Sequence, residues 1–443
     1  THNLKCIKKF KLDIFYITIL VKERWVIMEL KSNEEKVTRA VLISVNTGEY
    51  DADTSLLELV ELAKTAGAET VATVMQNLDR PETATYVGKG KLLEISEFCE
   101  SQEIDLLIFD SELSPTQIRN IEEETGVRVI DRTMLILDIF AMRARSKEGK
   151  LQVELAQLKY MMPRLTGMGT AMSRLGGGIG TRGPGETKLE TDRRHIRRRM
   201  ETLKEQLKDV EHHREQLRKR RRKDNVITVA IVGYTNAGKS TLMNYLTDAG
   251  VLAENKLFAT LDPTSRALKL PNGVIVMLID TVGLVRRLPH HLVDAFRSTL
   301  EEAAEADIIL NVCDVSSEEA SLHLKVTREL LESLGCKDTP IIPVLNKCDL
   351  VSGGVTVPQI GTGVRISAKE GKGIDELLHA IEDNLPVKVK RVKALLPFDK
   401  LGISAEIREK CILNSEEYVA DGLLIDAVIS EEMYSKIRDY IVE

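Results

Sequence analysis

The chain is short of cysteine, of long apolar runs and, over one stretch, of any side chain that could build a core. Its 443 residues hold six cysteines, at positions 6, 99, 313, 336, 348 and 411, with no C-x-x-C pair and no disulfide-like spacing. That pattern gives no support to a zinc site and fits a reducing cytosol. The apolar run at 14–21 is eight residues long, too short to span a bilayer, and no small-residue cleavage site follows it. A cytoplasmic protein without a stable transmembrane segment is expected. The chain opens on Thr1, and Met28 begins a stretch that reads like an ordinary protein start. Residues 1–27 are expected to be a disordered extension or a start-site artefact. The competing reading is an extra strand or a peripheral membrane anchor.

The length fits two or three domains, and the 43% hydrophobic content supports real cores. The net charge of −6 is uneven: residues 182–223 carry 16 Lys/Arg against 8 Asp/Glu, a local +8, so the rest sums to −14.

The richest stretch is Gly233-Tyr234-Thr235-Asn236-Ala237-Gly238-Lys239-Ser240-Thr241. It fits G-x-x-x-x-G-K-[ST], the loop that wraps nucleotide phosphates. A β-branched run at 227–232 precedes it, and a polar-apolar helical pattern at 240–248 follows. Strand, glycine loop and helix are the context the motif requires. The loop amides and the helix N-terminus would point at the phosphates. Lys239 would reach the β- and γ-phosphates, and the Ser240 hydroxyl would bind Mg²⁺.

Three further motifs follow in order. Asp280-Thr281-Val282-Gly283 ends an apolar run at 274–279. A carboxylate there can hold a magnesium-bound water, and the Gly283 N–H can meet a γ-phosphate. Asn346-Lys347-Cys348-Asp349 ends the strand pattern at 341–345. An aspartate so placed accepts from guanine N1–H and the 2-amino group. Adenine would leave that carboxylate unpaired, at a cost of several kcal/mol, or about 10³-fold. Ser367-Ala368-Lys369 follows 364–366, and the Ala368 amide can meet guanine O6. Together the motifs specify GTP.

Upstream, residues 39–150 alternate strand patterns (40–45, 71–75, 106–109, 127–130) with helix patterns (55–66, 89–102, 115–125). This predicts a small α/β domain with a largely parallel sheet. Gly88-Lys89-Gly90-Lys91 reads as a helix-starting turn. Leu151, Leu155, Leu158 and Met162 form one helical stripe, and Ile196, Met200, Leu203, Leu207, Val210 and Leu217 another. Two such seams pack as an antiparallel hairpin. Between them, residues 166–185 contain eight glycines and no aromatic residue, so a loop at the hairpin's tip is expected. Arg174 and Arg182 lie in it, and Arg193, Arg194, Arg197, Arg198 and Arg199 follow on the second helix. Glycine backbone with arginines suits irregular RNA surfaces. A solvated linker beside a charged helix face is the plain alternative, and the basic run at 218–223 can simply complement a helix C-terminus.

The expected fold class is therefore α/β. Its parts are an extension at 1–27, an N-terminal α/β domain at 28–147, a helical hairpin with a glycine-rich basic loop at 148–225, a P-loop GTPase domain at 226–388 and a small α+β tail at 389–443. A monomer is expected.

The four motifs, the segment Phe258-Ala259-Thr260-Leu261-Asp262, the glycine-rich stretch with its arginine helix, and the domain order resemble the HflX family of bacterial GTPases. The resemblance runs from about residue 28 to the C-terminus. It implies binding to the large ribosomal subunit through the glycine loop and basic helix, and splitting or rescue of stalled ribosomes. It also implies that Thr260 is a switch threonine joining Ser240 on Mg²⁺, with 258–262 closing over the nucleotide. Catalysis would then rest on Lys239, Thr260, Gly283 and Asn236. Leu284 stands where Ras-like proteins carry a water-positioning glutamine, so slow intrinsic hydrolysis is expected. Asn236 resembles an asparagine that holds K⁺ in related GTPases. Two other functions fit the residues: a GTP-dependent RNA-binding or ribosome-maturation factor that splits nothing, and a membrane- or protein-partner switch without RNA.

Overall fold

The computed structural model describes residues 37–167, 188–223, 226–247, 264–286, 303–317, 319–336, 339–351, 363–386 and 389–442. Among them the chain divides into two compact units, with the boundary between Leu207 and Lys208.

In the first unit, β1 (Thr38–Asn46), β2 (Ala68–Asn77), β3 (Leu106–Phe109) and β4 (Arg128–Asp131) form a parallel sheet in the order β2-β1-β3-β4. Helices α1 (Ala52–Thr65), α2 (Lys89–Gln102) and α3 (Pro115–Thr125) connect them. Local chemistry sets the ends of α3. Ser114 and Gln117 form a capping box, Pro115 fills the first turn, and Gly126 closes the helix at φ 66°. Gly88 caps α2, which begins at Lys89, as expected of a helix-starting turn. Val41, Ile43, Leu107, Phe109 and Ile121 are fully enclosed in the core.

The sequence patterns did not mark α4 (Arg132–Arg143). Its residues 132–140 are all buried, so it carries no polar stripe from which a helical period could be read. Arg132 is held by Asp110 at 2.8 Å and Glu58 at 2.7 Å.

The hairpin seam is present. α5 (Lys147–Met161) and the first part of α6 (Lys188–Lys223) share a cluster of Leu151, Leu155, Leu158 and Met162 with Ile196, Met200, Leu203 and Leu207. Arg199 spans the seam, donating from Nε and Nη2 to Glu154 at 2.7 and 2.8 Å. The expected stripe is too long at its far end: Val210 lies outside the seam cluster, and Leu217 is 42% exposed. The glycine-rich stretch from 168 onward lies outside the described residues, as do Arg174 and Arg182.

The second unit holds a six-stranded sheet in the order β10-β9-β8-β5-β7-β6. Its strands are β5 (Thr228–Gly233), β6 (Thr264–Lys269), β7 (Ile275–Asp280), β8 (Ile308–Asp314), β9 (Ile341–Asn346) and β10 (Val364–Arg365). All pairings are parallel except β6 with β7. β5 is buried along its whole length, as a central parallel strand must be. Helices α7 (Lys239–Thr247), α8 (Ala320–Ser333) and α9 (Ile374–Asp383) pack on it.

The C-terminal part forms an antiparallel sheet in the order β11-β13-β12, from β11 (Val389–Leu396), β12 (Ile412–Val419) and β13 (Gly422–Ser430), with α10 (Leu401–Lys410) and α11 (Glu431–Ile437). It does not stand alone. Val428 joins the core of the six-stranded sheet, and a Cβ on Gly273 (φ 90°) would lie 2.9 Å from Val428 Cγ2.

Candidate nucleotide site

The carboxyl ends of β5, β7, β8 and β9 converge on one loop. Gly233 leaves β5 so close to β8 that a Cβ would lie 2.1 Å from Val312 O. Gly238, at φ 92°, would put a Cβ 2.2 Å from Asn346 Nδ2. Both positions demand glycine. Lys239, on the first turn of α7, is only 7% exposed. Its ammonium donates to Gly233 O at 3.0 Å and Tyr234 O at 2.8 Å, which leaves one of three protons for a phosphate. Burial lowers its pKa to about 8, partly offset by the charge of Asp280. Ser240 Oγ donates to Asp280 Oδ2 at 3.2 Å, and Asp280 is fully buried at the end of β7. Thr241 follows, half-buried, in the same turn.

The segment after β7 is stitched to the phosphate loop. Thr281 Oγ1 donates to Ile231 O at 2.7 Å, so its hydroxyl serves the strand, and Val282 is 5% exposed. Thr235 N donates to Leu284 O at 2.8 Å, and Leu284 N donates to Gly233 O at 3.1 Å. The flank of Gly283 faces Thr235 and Lys239: a Cβ there would lie 2.7 Å from Thr235 Cγ2 and 3.1 Å from Lys239 Nζ. Leu284 sits in an apolar cluster with Tyr234, Ala303, Ala306 and Ile309. Tyr234 also stacks on His323 of α8, with centroids 4.0 Å apart. Burial, then the nearby Arg286, lowers the pKa of His323 to about 4, so the imidazole is neutral. Asn236 is exposed at the rim of the loop, in left-handed backbone at φ 60°.

At the base end, Asn346 is the junction. Its Nδ2 donates to Ala237 O at 2.8 Å, and its Oδ1 accepts from Ala368 N at 3.0 Å. The Ala368 amide expected at guanine O6 is thus already engaged, and a base would share it. Ser367 Oγ donates to Asp349 Oδ1 at 2.7 Å, and this bond is the main reason the Asp349 carboxyl sits below its ordinary pKa. Asp349 is half-exposed and Lys369 exposed. Lys347, at φ 64°, pairs with Asp314 at 2.7 Å. Cys348 Sγ donates to Leu345 O at 3.2 Å. Asp314 and His323 belong to no motif and were missed in the sequence; that Asp314 ends the buried strand β8 was the available signal. Phe258, Ala259, Thr260, Leu261 and Asp262 lie outside the described residues.

A phosphate grip at the start of α7 and an aspartate–serine pair at the ends of β9 and β10 are the two halves of a P-loop GTPase, and the strand order agrees. Residues 228–347 match a family described as 50S ribosome-binding GTPase, residues 53–141 the GTP-binding GTPase N-terminal family, and 143–221 its middle region. A GTPase HflX from Lacrimispora saccharolytica is 50% identical over 416 residues, 93% of this chain and 98% of the relative. One from Escherichia coli is 42% identical over 366 residues, 81% of this chain and 85% of the relative. A GTP-binding protein from Sulfolobus solfataricus, solved with GDP, is 27% identical, with a TM-score of 0.43 over 78% of this chain and 98% of that one. The chain belongs to the HflX family of GTPases. It is a GTP hydrolase.

Proposed function

We propose that the protein binds the large ribosomal subunit in its GTP state, splits or rescues stalled ribosomes there, and is reset when GTP becomes GDP and phosphate. The match of residues 228–347 to a ribosome-binding GTPase family supports this reading. The observation that carries it is the face of α6, where Arg194, Arg197 and Arg198 are exposed, on the helix that follows the glycine-rich stretch in sequence. Arg199 contributes less, since it is committed to Glu154. The protein would act as a monomer in the cytoplasm; among the described residues no helix is long and apolar enough to cross a membrane.

Ser240, with Asp280 behind it, would hold Mg²⁺, and Thr260 would join it. Hydroxyl and carboxylate oxygens suit this hard cation. Among the described residues no cluster of His, Cys, Asp and Glu could hold an ion by itself, which suits an ion carried in with phosphates. Bound Mg²⁺ neutralises charge on the β- and γ-phosphates. Within the chain, Lys239 holds the phosphates and the Gly283 N–H would orient the γ-phosphate. The exposed Asn236 offers an amide oxygen to K⁺. Hydrolysis equal in K⁺ and Na⁺ buffers would remove that role.

Co-sedimentation with large subunits tests the RNA face. Neutralising Arg194, Arg197 and Arg198 should weaken binding and lower the slope of log affinity against log salt by about 2–3. Deleting 166–185 should weaken it further. Binding that survives both changes would remove RNA contact from the account.

A further inference from the structure

No motif points to Tyr245. It stands near the end of α7, about 9 Å along the helix from Lys239 by the rise of 1.5 Å per residue. The end of its ring lies against Gly371. A Cβ on that glycine, at φ 74°, would be 2.1 Å from Tyr245 Oη and 2.6 Å from Cζ. Gly371 belongs to the turn that follows β10. Gly371 N donates to Ser367 O at 2.8 Å, Ser367 N to Lys372 O at 3.0 Å, and Glu370 N to Ser367 Oγ at 3.2 Å. The same Ser367 hydroxyl donates to Asp349 at 2.7 Å.

The turn is therefore pinned twice. Asn346 holds Ala368, and Tyr245 bears on Gly371. Tyr245 is 49% exposed, and the tip of its ring meets this turn.

We propose that Tyr245 is a positioning residue for base recognition. It props the 367–372 turn so that Ser367 and Asp349 present a fixed edge to guanine. Because α7 begins with Lys239 and Ser240, the contact also ties the base end of the site to its phosphate end. The inference rests on Asp349 as the base-reading carboxylate.

The test measures affinities of the full chain for GDP, for IDP, which lacks the 2-amino group, and for inorganic pyrophosphate, all with Mg²⁺. Tyr245→Ala should weaken GDP about tenfold and lower the GDP-over-IDP ratio several-fold, with pyrophosphate changed by less than about twofold. Tyr245→Phe, which keeps the ring, should stay close to the unaltered protein for all three. A Tyr245→Ala protein that keeps the ratio, or loses pyrophosphate as strongly as GDP, overturns the proposal. Asp349→Asn separates the two layers. If it leaves the ratio unchanged, the reading of Asp349 fails and the proposal with it. If it collapses the ratio while Tyr245→Ala does not, the proposal alone fails.

Discussion

Asn346 donates from Nδ2 to Ala237 O at 2.8 Å, so a residue of the base-reading motif holds up the phosphate loop. The same side chain accepts from Ala368 N and is 2% exposed. Truncation would strand two buried backbone groups. Each costs about 1–3 kcal/mol, together about 2–6 kcal/mol, or roughly thirtyfold or more in affinity. Asn346→Ala should therefore weaken both GDP and pyrophosphate by about that factor, measured by calorimetry on protein shown to be folded. Loss of GDP binding alone would contradict the bridge.

Lys239 gives the site a pH dependence. Burial lowers its pKa to about 8, and an anionic phosphate raises it. Between those two values nucleotide binding takes up a proton. Affinity should be flat below pH 7 and fall above pH 8, by up to about tenfold per pH unit. The nucleotide-free protein responds with the opposite sign. The unfolded lysine binds its proton more tightly, so this group's contribution to stability rises with pH from about 8 toward the unfolded value near 10.4. Calorimetry in buffers of different ionisation enthalpy should show proton uptake near pH 8.5. No uptake would place the lysine elsewhere.

Leu284 lies in an apolar cluster with Tyr234 and Ile309. Leu284→Gln should not confer faster hydrolysis. It should lower stability by about 1–3 kcal/mol, because an amide replaces a packed alkyl group. Single-turnover rates and a thermal melt check both parts, and a tenfold gain in rate would show that the glutamine can reach water.

Asp138 of α4 is 5% exposed, and neither carboxylate oxygen has a hydrogen-bond partner among the described residues. Desolvation raises its pKa well above the ordinary value, with Arg128 opposing. For a raised carboxyl, stability is fully present below the unfolded pKa of about 3.9 and is lost as pH rises through the folded value. Asp138→Asn should therefore melt increasingly above the unaltered protein as pH rises from 5 to 9. A constant difference would mean that Asp138 does not titrate in this range.

Much of this was legible in the sequence. Short apolar runs marked β1, β3, β5 and β9, because buried parallel strands leave little choice of side chain. The motifs gave the chemistry of Lys239, Ser240 and Asp349. What they could not give was the coupling between them. Asn346 reads as one letter of one motif, yet it spans two loops far apart in the chain. Tyr245 and His323 touch the site from helices whose patterns record only their own core faces. α4 was invisible for the opposite reason, since burial on every side erased its period. Leu217 shows the reverse error: an apolar residue in register with the seam, yet outside its cluster and 42% exposed.

On the proposed function, GTP drives an action on the ribosome. Light scattering of intact ribosomes, with the protein and GTP, a non-hydrolysable analogue or GDP, reads that action. Dissociation into subunits is expected with GTP and with the analogue, and none with GDP. Binding to subunits without dissociation in any nucleotide would contradict it and favour a GTP-dependent RNA-binding or maturation factor.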